Sequence, residues 1–354
     1  VKLFCGLLKL VFSFTIKNFK TAAAAGLRKE FIIMNKKFIA LGLSVLTALT
    51  LLTGCGGEKK ETAKPSVKEL KVTYVKSPLN IPSIVDKHNQ TLVKEFGKDK
   101  ITVVFPEINS GAKQTEALAS GSLDVCSALG GTSAILAASN GVDVKIVGMY
   151  SRAPKAFNIM VKDPAIKTAA DLKGKKVAGP KGTILHQILV TALDKAHLQP
   201  DAVEFVSLGI PASVNALMSG EVDAALVAGS DVLRAQKAGA RVLTNGEGLV
   251  DATIVIGVSG KFLREHPEIV KKYLAVHQQN IDFMNKEPDK AFAFTAQETG
   301  LSLEEVKLMA PWYDFSTKIT EANIKDLEAT QNFLLKLGMQ KNKIDIKNLL
   351  AEVK

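Results

Sequence analysis

The sequence predicts a two-lobed α/β fold. Each lobe is a mostly parallel sheet flanked by helices, and a helical C-terminal segment packs on one of them. Three observations predict it. First, the chain repeats itself: residues 117–131 read ALASGSLDVCSALGG and residues 216–230 read ALMSGEVDAALVAGS, with starts 99 residues apart and a gapless register back to about residue 102. A repeat of this length is one supersecondary unit used twice. Second, short apolar, β-branched runs alternate with helical patterns between residues 70 and 258, which is the mark of βαβ units. Third, strand alternation stops after Ser259 and only helical periods follow. Ligands of such sheets sit outside the carboxyl ends of the strands. Two similar lobes therefore offer the same kind of loop to a solute held between them.

The N-terminal 54 residues read as an address. Residues 34–55 are MNKKFIALGLSVLTALTLLTGC, with Lys36 and Lys37 ahead of the apolar stretch Phe38 to Leu52. That stretch is shorter than the ~20 residues a membrane-spanning helix needs, and it ends in small residues as a signal peptide does. Its close, Leu52-Thr53-Gly54-Cys55, looks like a bacterial lipobox. The likeness implies a diacylglycerol on the Cys55 sulfur and cleavage before it, and more than one acyl chain anchors stably. Residues 34–54 are thus expected to be a lipoprotein signal peptide, and residues 1–33 an upstream extension. Residues 55–67 then form the lipidated cysteine and a flexible polar tether.

The mature chain follows strand by strand. Strands are expected at 70–75, 101–105, 123–128 and 144–150, with helices at 81–96, 112–119 and 133–139 between them. The second lobe repeats the order: strands at 157–161, 203–206, 222–227, 241–243 and 253–258, a turn into a strand over 172–179, and helices at 184–195 and 212–219. The tail holds helices at 267–285, 289–299, 303–309 and 324–337, the last ending at Gly338.

Charge and composition exclude several function classes. The net charge of +11 is concentrated in the leader: residues 1–54 carry +7, which leaves +4 for the rest. Basic residues there alternate with acidic ones, and no basic stripe interleaved with aromatics suits nucleic acid. The chain has no Gly-x-Gly-x-x-Gly after the first strand, no phosphate-binding lysine loop, no His-Glu-x-x-His and no Gly-x-Ser-x-Gly elbow. The five histidines do not cluster at metal spacing, so no metal, no cofactor and no catalytic group are expected. Cys126 lies in a buried-strand pattern and reads as a core residue.

The candidate site residues are those between a strand end and a helix start. They are Ser77, Ser110, Gly131, Thr132, Thr183, Gly229 and Ser230. A helix N-terminus presents unpaired N–H groups and partial positive charge, glycine admits a close approach, and a hydroxyl adds a donor. The competing reading is that each Ser or Thr simply caps its own helix. Asp231 breaks the anion-friendly pattern. It pairs with an ammonium group on a zwitterionic solute, or it serves its own helix, or it lies in solvent. His186, one turn into its helix, points at the same mouth or is structural.

These residues resemble a family. Ser110-Gly111, ALASGSLDV, DLKGKKVAGPKGTILHQIL, VNALMSGEVDAAL and KFLREHPEIVKKYLAVHQQNIDFMNKEPDKA are similar to segments of extracytoplasmic substrate-binding lipoproteins of ABC transporters, of the nitrate/sulfonate/taurine type. The resemblance spans about residues 70–340. It implies a type II periplasmic-binding-protein fold, with lobe one at 68–155 plus 259–354 and lobe two at 156–258. Crossing strands are expected near 153–160 and 251–259. It implies contacts from Ser77, Pro78 and Leu79, from Ser110 and Gly111, from Gly130, Gly131 and Thr132, and from Thr183 and His186. The solute is then a small anionic or zwitterionic one, delivered by a monomer to a membrane permease. The chain departs from many relatives where they carry a Trp-x-Pro-like segment; here stand Ala228-Gly229-Ser230-Asp231. Two alternatives stay open: a ligand sensor on the same fold, and a protein that binds or makes thiamine pyrimidine precursors. The synthase version uses a cysteine-rich segment, and beyond Cys55 this chain has Cys126 alone.

Translation is expected to start at Met34. Sequencing the unprocessed precursor from its N-terminus checks this, and finding Val1 intact overturns it.

Overall fold

The structure, a computed structural model, describes residues 67–353 apart from Asn109; the leader, Cys55 and the tether through residue 66 lie outside them. Lys64–Lys354 forms one compact unit. Its first half runs β1 (Glu69–Lys71), α1 (Ile81–Asn89), α2 (Thr91–Gly97), β2 (Thr102–Val104), α3 (Gly111–Ala119), β3 (Val125–Gly130), α4 (Gly131–Ser139) and β4 (Val144–Arg152). The chain then crosses into β5 (Phe157–Val161), β6 (Lys176–Gly179), α5 (Ile184–Lys195), β7 (Glu204–Ser207), α6 (Ile210–Ser219), β8 (Ala224–Ala228), α7 (Ser230–Lys237) and β9 (Arg241–Asn245). It returns through β10 (Thr253–Ser259). The tail is α8 (Gly260–Glu265), α9 (Pro267–Lys286), α10 (Pro288–Thr299), α11 (Leu303–Met309), α12 (Glu321–Lys336) and α13 (Ile346–Leu349).

The two sheets have the same topology. Lobe two is ordered β7-β6-β8-β5-β9. In lobe one β2 pairs with β1, a bridge from Val72 to Val125 joins β1 to β3, and β3-β10-β4 completes the layer. In both, the first three strands are parallel and the fourth place belongs to the strand that enters from the other lobe. That strand runs against its neighbours: β10 is antiparallel to β3 and β4, and β5 to β8 and β9. The sheets are thus mixed, where composition predicts mostly parallel pairing. Strands that lead into the interlobe mouth point toward it, and a strand arriving from the other lobe points away.

The repeat has a structural content that can be read atom by atom. Ser120 and Ser219 each donate their hydroxyl to the carbonyl three residues back, Ala117 and Ala216, both at 3.1 Å. Gly121 and Gly220 take positive φ, 73° and 80°, as the chain leaves its helix. Asp124 Oδ2 accepts from the Lys71 N–H at 2.9 Å, and Asp223 Oδ2 accepts from the Lys176 N–H at 2.8 Å. The shared Ser-Gly-x-x-Asp therefore ends a helix and pins a strand to its neighbour, twice.

The two segments by which the chain crosses between the sheets lie side by side. Ala153 N–H donates to Asp251 O at 3.3 Å and Gly246 N–H to Pro154 O at 3.0 Å, so the crossing segments are bonded to each other. The Asp326 carboxylate on α12 accepts from the Asp251 N–H at 3.2 Å and from the Thr253 hydroxyl at 2.6 Å. Arg152 exchanges two backbone bonds of 2.8 Å with Asp314 and pairs with its carboxylate. α9 and α10 pack on α1, and α12 packs on α4 and reaches α5 of lobe two. Among the described residues no helix is long and apolar enough to cross a membrane.

One expected helix is broken. The pattern at 81–96 reads as continuous, but the chain turns at Gln90, with φ 52°, and restarts as α2. Buried Asp86 makes this possible: its Oδ1 accepts from the Leu92 N–H at 2.9 Å, satisfying an orphan donor at the start of α2, and from Asn280 Nδ2 at 3.2 Å. Burial pushes the Asp86 carboxyl up to about 6, against the pull of those two bonds. A folded-state value above the unfolded one means that ionising Asp86 costs stability. The cost is absent below the unfolded value, grows as pH rises through 4 to 6, and is complete above. Asp86→Asn is expected to raise Tm relative to the parent at pH 8 and to lose that advantage near pH 4. Thermal unfolding at both pH values checks it.

Candidate functional site

Six helices begin at the strand ends that face the mouth: α1, α3 and α4 from lobe one, and α5, α6 and α7 from lobe two. None of the six is capped by the side chain of its own N-cap residue, though in α1 the Ser83 N–H reaches Tyr150 Oη at 3.4 Å. By contrast α8, α11, α12 and α13 are capped by Ser259, Ser302, Thr320 and Asp345. The mouth helices thus keep donors that a capped helix spends on itself.

The hydroxyls expected there are not occupied as caps. Among the described residues, Ser77, Ser110, Thr132 and Ser230 form no side-chain hydrogen bond. Thr132 is the telling case, being only 3 % exposed. Its oxygen is not sealed off, and no group of the described chain takes it. Thr183 differs: its Oγ1 donates to Pro180 O at 2.8 Å, which shapes the turn before α5. Asn80 holds the other turn, donating to Val75 O at 2.8 Å and Ser77 O at 3.1 Å.

Two of the predicted residues meet across the lobes. Gly229 has φ 61° and ψ −135°, and a Cβ placed on it would lie 2.5 Å from Pro78 Cβ. Only glycine fits both the backbone and the contact. The Leu79 side chain, by contrast, is fully buried in the lobe-one core. Gly111 lies under Ser133, and Gly131 sits so close to Leu327 and Thr253 O that a Cβ would meet them at 2.9 and 3.3 Å. The Gly130 turn is thereby pressed against β10 and α12.

Asp231 and His186 each have partners within the chain. Asp231 Oδ1 pairs with Arg234 at 3.1 Å, one turn along α7. It holds the place in the second repeat that Thr132 holds in the first. His186 is 6 % exposed, and its Nδ1 accepts from the Gly182 N–H at 3.2 Å. Burial, then the nearby Lys181 charge, lowers His186 to about 4, so it is neutral at pH 7. Its ring stacks on Phe205 at 4.3 Å and meets Phe333 edge-on at 5.7 Å.

Residues of the tail complete this side of the mouth, and the expected site omits them. Met339 reaches Gly182, whose Cβ would lie 2.3 Å from Met339 Cε. Thr330 and Gln187 are hydrogen-bonded at 3.1 Å, and Lys336 pairs with Asp194 at 2.8 Å. No local pattern marks these residues, because their role arises from α12 lying over α5. Cys126 is fully buried and burial raises its thiol, as suits a core residue.

The profile of the NMT1/THI5-like family matches residues 96–291. The chain belongs to this family. It is 29 % identical over 315 residues to a protein of Bacillus subtilis (strain 168) provisionally named an aliphatic sulfonates-binding protein, covering 87 % of this chain and 94 % of that one. It is 33 % identical over 196 residues to the taurine-binding periplasmic protein of Escherichia coli (strain K12), covering 54 % of this chain and 59 % of that one. The crystal structure of the periplasmic aliphatic sulphonate binding protein SsuA from Escherichia coli superposes with a TM-score of 0.74 at 24 % identity, covering 82 % of this chain and 94 % of that one. That likeness shows the two-lobed binding-protein fold.

Gly229→Ala is expected to keep the lobes apart at Pro78. Backbone strain of ~1–3 kcal/mol at such a site should show as a lower Tm. Solute affinity should fall by about tenfold or more, since each 1.4 kcal/mol withheld from closure is a factor of ten. Calorimetric titration and thermal unfolding of the variant check both.

Proposed function

We propose that this chain is the extracytoplasmic solute-binding component of an ABC importer, and that it captures alkanesulfonates or taurine-like solutes between its lobes. The observation that carries the reading is the unpartnered Thr132 hydroxyl, on a residue otherwise buried, at the uncapped start of α4. A sulfonate head is a compact anion with three acceptor oxygens. Backbone N–H groups of helix N-termini and free hydroxyls match it without a lysine or arginine. The names of the relatives agree with this class of solute. Closing two lobes excludes water and strengthens each bond to the anion. Ser77, Pro78, Ser110, Gly111, Gly130, Gly131, Thr132, Thr183, Gly229 and Ser230 then form the cradle, in part through backbone groups.

The protein works as a monomer and hands its solute to the permease. The lipobox-like Leu52-Thr53-Gly54-Cys55 supports a lipid anchor at Cys55 on the outer face of the bacterial cell membrane. Asp231 favours a refinement. Its place opposite Thr132 in the repeat suits the ammonium of taurine, in competition with Arg234.

Titration of residues 56–354 with ethanesulfonate, taurine, nitrate and a pyrimidine tests the class. Ethanesulfonate or taurine should bind with a thermal shift and a smaller radius of gyration, and binding of the pyrimidine alone would sink the reading. Thr132→Val is expected to lose about tenfold to a hundredfold in affinity, from ~1.5–3 kcal/mol for a hydrogen bond to a charged group. Asp231→Asn should weaken taurine and spare ethanesulfonate; equal effects on both would remove Asp231 from the site.

A further inference from the structure

His186 lies at the meeting of three structures. Its Nδ1 holds the Gly182 N–H at 3.2 Å, in a turn where Gly182 has φ 72°. Its ring lies on Phe205 of β7, inside lobe two. Its other neighbour, Phe333, belongs to α12 in the tail that packs on lobe one. The adjacent Gln187 is bonded to Thr330 of α12, and Met339 presses on Gly182 from the same side. The turn that opens α5 is thus held from below by His186 and from above by the tail.

We propose that His186 is a positioning residue: it sets the Gly182–Thr183 turn that presents the α5 N-terminus to the solute, and it couples that turn to lobe one through Phe333. The acceptor Nδ1 keeps the Gly182 N–H directed inward, so the following N–H groups of α5 stay free for an anion. The ring makes this bond depend on the lobes being together, because one wall of its slot is Phe333. A ring held by a stack and an edge-on contact has little freedom to turn toward a solute. The charged group near the ring is Lys181 on its own turn; β7 and α12 bring Phe205 and Phe333 against it. This inference rests on the sulfonate-binding reading for its affinity readout, and on hydrogen exchange for a readout independent of it.

Two variants and one pH series test the inference on residues 56–354, with ethanesulfonate as the probe. His186→Phe keeps the ring in its slot and removes the acceptor. The Gly182 amide should then exchange about tenfold faster without solute, from loss of its one buried partner. Ethanesulfonate affinity should fall by about tenfold, the size expected for one lost hydrogen bond acting through the turn. His186→Asn places Oδ1 where Nδ1 stood, and should restore both quantities to within about threefold of the parent. Affinity of the unsubstituted protein should be flat from pH 8 to 5.5, because a neutral, buried imidazole gains no proton there and ethanesulfonate does not titrate. This last measurement needs no variant to fold. Affinity that climbs about tenfold as pH falls through the ordinary histidine range would assign an imidazolium contact to the solute and overturn the proposal. Unchanged Gly182 exchange in His186→Phe would overturn it as well. If the parent binds no sulfonate at all, the functional reading fails, and the exchange result alone still decides the role of His186.

Discussion

The first sheet of this protein is completed by a strand that returns from the second half of the chain. β10 lies between β3 and β4, and β5 lies between β8 and β9. The first sheet cannot form its full hydrogen-bond ladder without that return. Buried backbone groups left unpaired are costly, so the crossing is not an accessory linker. It places both crossing segments at the mouth end of the sheets, beside the turns that lead into α4 and α7. It also explains why one strand in each layer runs against the others. The Asp326 bonds to Asp251 and Thr253 then hold the second crossing to α12.

The mouth is set by what its polar groups leave undone. Helices α8, α11, α12 and α13 are capped by their own N-cap side chains, and the mouth helices are not. Thr183 bonds backward to Pro180, and Asn80 bonds backward to Val75 and Ser77, so even the side chains that do bond serve the turns. Shape follows the same logic. Gly229 against Pro78 and Gly182 against Met339 are places where the halves touch through a missing Cβ. Small residues at these points let the lobes approach closely, leaving little room for water between them.

The repeat was legible in the sequence, and its meaning was partly legible. Two similar lobes, the positions of the loops and most of the longer helices follow from it and from the apolar periods, while α7, α8 and α13 receive no range from either. The Asp shared by the two copies is easily taken for a functional group, yet Asp124 and Asp223 pin strands. The break between α1 and α2 was not legible. It depends on Asp86 reaching Leu92 and on Asn280, almost two hundred residues away in sequence, meeting Asp86. His186 shows the same limit. Its place one turn into a helix leaves it either facing the mouth or structural, and Phe205 and Phe333 decide that its ring is clasped.

By itself, then, the sequence determined the duplicated α/β plan, the turns that end its strands and the residue types offered there. Those are local properties: a period of two or of about four, a glycine where φ must be positive, a hydroxyl beside a helix start. Only the tertiary structure decided which of those groups are spent and which are free. Arg234 takes Asp231, Pro180 takes Thr183, and nothing in the described chain takes Thr132. Whether a polar group is available to a solute depends on every partner within about three ångströms, and those partners come from elements far apart in the chain.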